Sequence, residues 1–183
     1  MKRILLVAIA SLAVAVPVDD AGAQRRIVPF LGGGIASGSG DLSDGTDDGW
    51  HLFGGVDFPL GKTPGLSIGV TASYTHVPYQ GDFDEAMNIP AVFGEVGYVF
   101  LANSSSIVKP YLRAGAGLQV RQYDHGSTGF RDESDTRLAF SGGGGLQFAV
   151  AATKLFVGAQ FMSDANAGVL AVHAGVAFPG RAR

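Results

Sequence analysis

The sequence predicts an all-β protein, an eight-stranded antiparallel up-and-down transmembrane β-barrel. Three observations lead there. Eight segments alternate apolar residues with small or polar ones at a period of two, the spacing that sends successive side chains to opposite faces of a strand. Polar excursions follow the first, third and fifth segments, and tighter connections follow the second, fourth and sixth. The non-apolar faces carry charges that hydrocarbon would not accept unpaired.

Composition narrows the class. At 183 residues the chain has the length of one domain. Lys+Arg 13 against Asp+Glu 16 gives a net charge of −3, which offers nothing to a nucleic acid. There is no cysteine, which excludes disulfides, thiolate catalysis and a lipidated cysteine. Glycine is abundant, 28 residues, without a Gly-X-Y period, and suits closely packed, curved strands.

The chain divides into a signal peptide, residues 1–23, and a barrel, residues 24–183. Lys2 and Arg3 precede an apolar run from Ile4 to Val16, and Ala21-Gly22-Ala23 forms a small-x-small cleavage site before Gln24. The run is short of the roughly 20 apolar residues a spanning helix needs. No later segment is longer, so a mature chain in a membrane must close its sheet, because lipid cannot satisfy an open edge.

The first strand is Ile27 to Ser37, its alternation blurred by Pro29 and three glycines. A polar stretch follows, with Asp41, Asp44, Asp47 and Asp48. The second strand, Trp50 to Phe58, sets Trp50, Leu52, Val56 and Phe58 against His51, Gly55 and Asp57. The turn residues Pro59 to Gly65 lead into the third, Leu66 to Val77, which has the cleanest period of two. After Asp82, Asp84 and Glu85 comes the fourth, Asn88 to Phe100, with Phe93, Glu95 and Gly97 on its inner face. The fifth, Val108 to Gln122, opposes Leu112, Ala114, Ala116, Leu118 and Val120 to Arg113, Gly115, Gly117, Gln119 and Arg121. A polar excursion, Tyr123 to Asp135, precedes the sixth, Thr136 to Val150. The seventh, Lys154 to Met162, and the eighth, Gly168 to Phe178, are joined by a short connection, the one departure from the long–short alternation.

The facing of the barrel follows from its charges. Glu95, Arg113, Gln119, Arg121, Gln147, Gln160 and His173 share the non-apolar faces. An Arg at the bilayer midplane costs roughly 2–4 kcal/mol, so these residues face inward, where they can meet one another. A barrel of eight strands is narrow enough for side chains to fill. Trp50, Phe58, Tyr74, Tyr98, Phe100, Phe161 and Phe178 lie toward strand ends, as an aromatic girdle does.

With its signal, its eight alternating strands, the runs Ala114-Gly115-Ala116-Gly117 and Gly142-Gly143-Gly144-Gly145, and a last strand ending on the aromatic Phe178, residues 24–178 resemble the small outer-membrane β-barrels, the OmpA-like barrel domain and its relatives. The resemblance implies a bacterial outer-membrane location, contact with outer-membrane lipid and lipopolysaccharide, and insertion by the barrel-assembly machinery with Phe178 as the assembly signal. It implies a monomer and no cofactor. In the family the aromatic usually ends the chain; here Pro179-Gly180-Arg181-Ala182-Arg183 follows it. The peptidoglycan-binding domain of larger members is not implied.

Candidate chemistry is sparse. Glu95 and Arg113 lie on consecutive strands at inward positions and are expected to meet in the lumen, with Arg121 and Gln119 in the same network. That network reads either as a structural plug or as a charged gate. The loop Asp41, Asp44, Asp47 and Asp48 is a candidate cation-binding loop, since hard cations want several carboxylate oxygens, but it lacks EF-hand spacing and reads equally as a solvated acidic loop. His125 and Ser127 are spaced to share a strand face, similar to the His and Ser of outer-membrane lipid A deacylases, with Glu133 nearby. The Asn that follows that Ser in the deacylases is missing, and no catalytic residue is assigned. His51, His76 and His173 are isolated in sequence and carry no metal-ligand spacing. The expected role is structural or surface-facing, with a small solute pore as the alternative and a lipid-modifying enzyme behind it.

Overall fold

The computed structural model describes residues 27–178, apart from 41, 44, 82–84, 125–132, 151–152 and 165–166. The signal peptide assigned to residues 1–23 lies outside the described residues. Eight strands run β1 (Val28–Gly40), β2 (Gly49–Pro59), β3 (Leu66–Pro78), β4 (Ala86–Val99), β5 (Val108–Asp124), β6 (Glu133–Val150), β7 (Thr153–Ser163) and β8 (Ala167–Ala177). Each pairs antiparallel with its sequence neighbour, and β1 closes on β8, so the sheet is a barrel without an open seam.

The stagger can be followed residue by residue. From Val28 the pairing runs through Asp57, Gly69, Glu95, Gly115, Ser141, Met162 and Val169, and returns to β1 at Gly38. The closure is therefore displaced by ten residues along β1. A stagger of this kind tilts the strands against the barrel axis.

Alternation decides which side is wet. Ile35, Leu138 and Val172 are each about 60 % exposed and point outward, whereas Phe93 and His51 are fully enclosed. The apolar face is thus the outer one, and lipid is the only solvent in which such a band is stable. Aromatics mark its borders. Toward one end Trp50 stacks on Tyr74 with ring centroids 5.4 Å apart, and Tyr74 Oη donates to Asn88 Oδ1 at 2.9 Å. Toward the other, Tyr98 meets Phe100 edge-on at 5.0 Å. Indole and phenol rings favour such positions because one end is apolar and the other wet.

Three sequence expectations change. The excursions after β1, β3 and β5 are partly strand: β5 has 17 residues and β6 has 18, and their ladder reaches Tyr123 opposite Glu133. About 9–11 residues cross the bilayer, so the excess rises beyond it, where exposed polar residues such as Ser134 and Asp135 make strand read as loop. The connections themselves do not alternate in length: 100–107 is as long as 41–48. Phe100 lies in that turn rather than in β4, and Phe178 sits just past β8, although its N–H donates to Pro29 O at 2.8 Å.

Candidate functional site

The lumen holds the candidate chemistry. Glu95 lies between Gly69 on β3 and Gly115 on β5. Both neighbours must lack a side chain: a Cβ on Gly115 would stand 2.7 Å from Glu95 Cγ, and one on Gly69 would collide with the Asp57 carboxylate. Into this gap Glu95 spreads both oxygens. Oε2 accepts from Thr71 Oγ1 at 2.5 Å and Arg113 Nη1 at 3.2 Å. Oε1 accepts from Ser141 Oγ at 3.0 Å and Gln160 Nε2 at 3.2 Å. A buried carboxylate is stable only with its lone pairs satisfied, and this one has four donors from four strands.

Arg113 is shared. Its Nη2 donates to Asp57 Oδ1 on β2, and its guanidinium carbon lies 4.5 Å from the centroid of the Phe30 ring, a cation–π contact. Asp57 is the partner that sequence reasoning missed. It shares an inward face with its neighbours, but its meeting with Arg113 runs across the lumen.

Gln119 and Arg121, expected in the same network, form a second one. Arg121 lies six residues up β5 from Gly115, which is level with Glu95. At about 3.3 Å per residue that separation is roughly 20 Å, far beyond hydrogen-bond reach. Their partner is Asp164, in the turn after β7: its Oδ2 lies 2.6 Å from Arg121 Nη2, 2.9 Å from Gln119 Nε2 and 3.7 Å from Arg137 Nη1. The short β7–β8 connection, odd in sequence, thus turns a carboxylate into the barrel.

Between these clusters the outer half of the lumen, toward the β1–β2, β3–β4 and β5–β6 connections and away from the start of β1, is packed like a core. Met87, Ile89, Ala91 and Phe93 of β4 join Ala36, Ala139, Met162 and Ala171 in one buried apolar cluster. On the other side Phe30, Phe53 and Phe156 form a smaller one. His51 and His173, remote in sequence, flank Gly34 on the closing seam, with ring centroids 6.5 Å apart. His51 Nδ1 lies 2.8 Å from Thr75 Oγ1. His76 is separate, beside Asn88 on the outer face.

The remaining candidates carry less. Asp41 and Asp44 lie outside the described residues, as do His125 and Ser127. Asp48 accepts from Ser37 Oγ, and the Asp47 N–H donates to Pro78 O at 2.8 Å. Among the described residues no group of three or more His, Cys, Asp or Glu side chains is placed to hold a metal ion.

A closed antiparallel barrel, apolar outside and charged within, is a transmembrane barrel. The chain belongs to the outer membrane protein beta-barrel domain family, whose profile matches residues 4–168, and its place is the bacterial outer membrane. No curated protein matches the sequence significantly. Among solved structures it is similar to neisserial surface protein A, at 19 % identity and TM-score 0.66, covering 87 % of this chain and 100 % of that one. It is similar to Ail, the attachment invasion locus protein of Yersinia pestis, at 13 % and 0.56, covering 85 % and 99 %. It also matches the outer membrane enzyme PagL, at 18 % and 0.50, covering 82 % and 99 %. At these identities the likeness is one of fold.

Proposed function

We propose that the protein is a closed-lumen outer-membrane barrel that works through its outside, stabilising the envelope and presenting its outer loops to a partner. The observation that carries this reading is the filling of the outer half of the lumen: Met87 and Phe93 are fully buried where a channel would need water. The outer loops are acidic, with Asp47, Asp48 and Glu85 among the described residues. Divalent cations and the lipopolysaccharide they bridge are the surface chemistry such loops fit. Phe178, exposed to lipid beside β1, serves as the assembly signal read by the insertion machinery, and the barrel acts as a monomer, its closed sheet leaving no strand edge for a second copy to extend.

A second reading has its own observation. Arg113 is divided between Asp57 and Glu95, so it could exchange partners and gate a pore. The apolar packing above it stands against conduction. A lipid-modifying role would rest on His125 and Ser127, which lie outside the described residues.

The test is deletion in the native bacterium with complementation. A wild-type copy restores detergent resistance and surface binding. A copy with shortened outer loops restores resistance alone. Deletion without effect on either phenotype contradicts the proposal.

A further inference from the structure

At the mouth where β1 begins and β8 ends, the periplasmic one in this reading, the barrel encloses a vestibule of about 230 Å³. Its wall is largely apolar, with Val28, Leu66, Val99, Ile107 and Ala149 among its residues. Two inward-facing lysines interrupt it, Lys109 and Lys154. Lys109 is anchored: its Nζ donates to Ala102 O at 2.8 Å and Ser104 O at 3.0 Å, closing the β4–β5 turn. Lys154 is different. Among the described residues no carboxylate lies within ion-pair distance of it: Asp57, the acid in the same wall, is paired with Arg113 and acts on Lys154 only at longer range. Its neighbours across the ladder are Ala149 and Ala177, too small to cover the ammonium.

Lys154 is half-buried at the mouth, and an ammonium held there without an ion-pair contact is free to donate a charge-assisted hydrogen bond to an anion. The vestibule continues inward. It shares Asp57, Ser67, Val99, Gln147 and Ala177 with a pocket of about 70 Å³ walled by Phe30, Phe53 and Phe156. The space thus has a cationic station near the mouth and an inner end where the phenyl rings flank the Arg113–Asp57 ion pair. It falls below the ~300 Å³ of pockets for drug-sized ligands, so its occupant is small.

We propose that this vestibule binds a short amphiphile with one anionic head, a carboxylate or a phosphate monoester, its head on Lys154 and its tail toward the aromatic layer. A cationic head would meet two ammonium groups, and a tailless anion would leave the apolar wall unused. The site faces the periplasm and is independent of the outer loops.

The test is titration of the refolded barrel in lipid nanodiscs, followed by amide shifts at Lys109 and Lys154. Probes are hexanoate, hexyl phosphate, acetate, inorganic phosphate, hexanol and hexylammonium. Hexanoate or hexyl phosphate should give saturable shifts at both lysines, with acetate, inorganic phosphate and hexanol weaker. Lys154→Gln should weaken binding about tenfold, the loss of one charge-assisted contact. Lys154→Glu should turn the preference toward hexylammonium. Saturable binding by either hexyl anion supports the site and the difference between them identifies the head. Equal binding by hexanol, acetate or inorganic phosphate overturns the proposal. So do non-saturable shifts spread over lipid-facing Leu155 and Val157, and binding unchanged in Lys154→Gln.

Discussion

Asp164 Oδ2 lies 2.6 Å from Arg121 Nη2, and both side chains are almost wholly buried. The contact ties a three-residue turn to the longest part of the β5–β6 ladder. Removing one partner leaves the other charge buried. Arg121→Met should therefore cost about 3–5 kcal/mol, more than the double variant Arg121→Met/Asp164→Asn. Urea unfolding in micelles reads both. Additive losses would mean the two residues act independently.

Arg113 gives a second cycle. Without it, Asp57 and Glu95 share the lumen with no cation between them. Arg113→Met should lose several kcal/mol, roughly 3–5, and adding Glu95→Gln should recover part of the loss. Thermal unfolding by circular dichroism checks this. A double variant less stable than Arg113→Met alone would contradict the shared-cation arrangement.

Two glycines of one ladder should respond oppositely. A Cβ on Gly115 would meet the backbone oxygen of Gly94 at 2.5 Å, Glu95 Cγ at 2.7 Å and Ser141 Oγ at 3.1 Å, whereas one on Gly142 meets nothing within 4 Å. Gly115→Ala should destabilise by about 1–3 kcal/mol. Gly142→Ala should be neutral or stabilise by up to about 1 kcal/mol, because it restricts the unfolded chain. Equal effects would mean that the close approach of β4 to Gly115 is not needed.

Tyr79, just beyond β3 outside the membrane, packs on the outer apolar cluster. Burial holds its phenol above the usual 10.0, with Tyr123 reinforcing the shift. A raised folded pKa gives stability that is full below the unfolded value and lost as pH climbs through the folded one. The wild type should therefore lose more stability than Tyr79→Phe between about pH 9 and about pH 11. Parallel pH profiles would contradict this.

The sequence was legible where a rule is local. Alternation of Leu112, Ala114 and Ala116 with Arg113 and Gly115 fixes which face meets lipid, because a strand has a strict period of two. Glu95 and Arg113 were foreseeable because they lie on neighbouring strands at nearly one level. Asp57 was not, since its approach to Arg113 depends on three successive registers from β2 to β5, which no alternation encodes. Asp164 reads as a solvated turn residue until the register shows Arg121 beneath it. The His51–His173 proximity depends on closure of β1 against both β2 and β8 around Gly34.

The central claim is that the lumen is closed. Single-channel recording of the refolded barrel in a planar bilayer, after a heat-dependent gel shift confirms folding, tests it most directly. A closed lumen predicts a folded, silent barrel, silent also as Arg113→Met, because Met87 and Phe93 still fill the outer half. Steady discrete conductance steps in the wild type would contradict it and make Arg113 the gate.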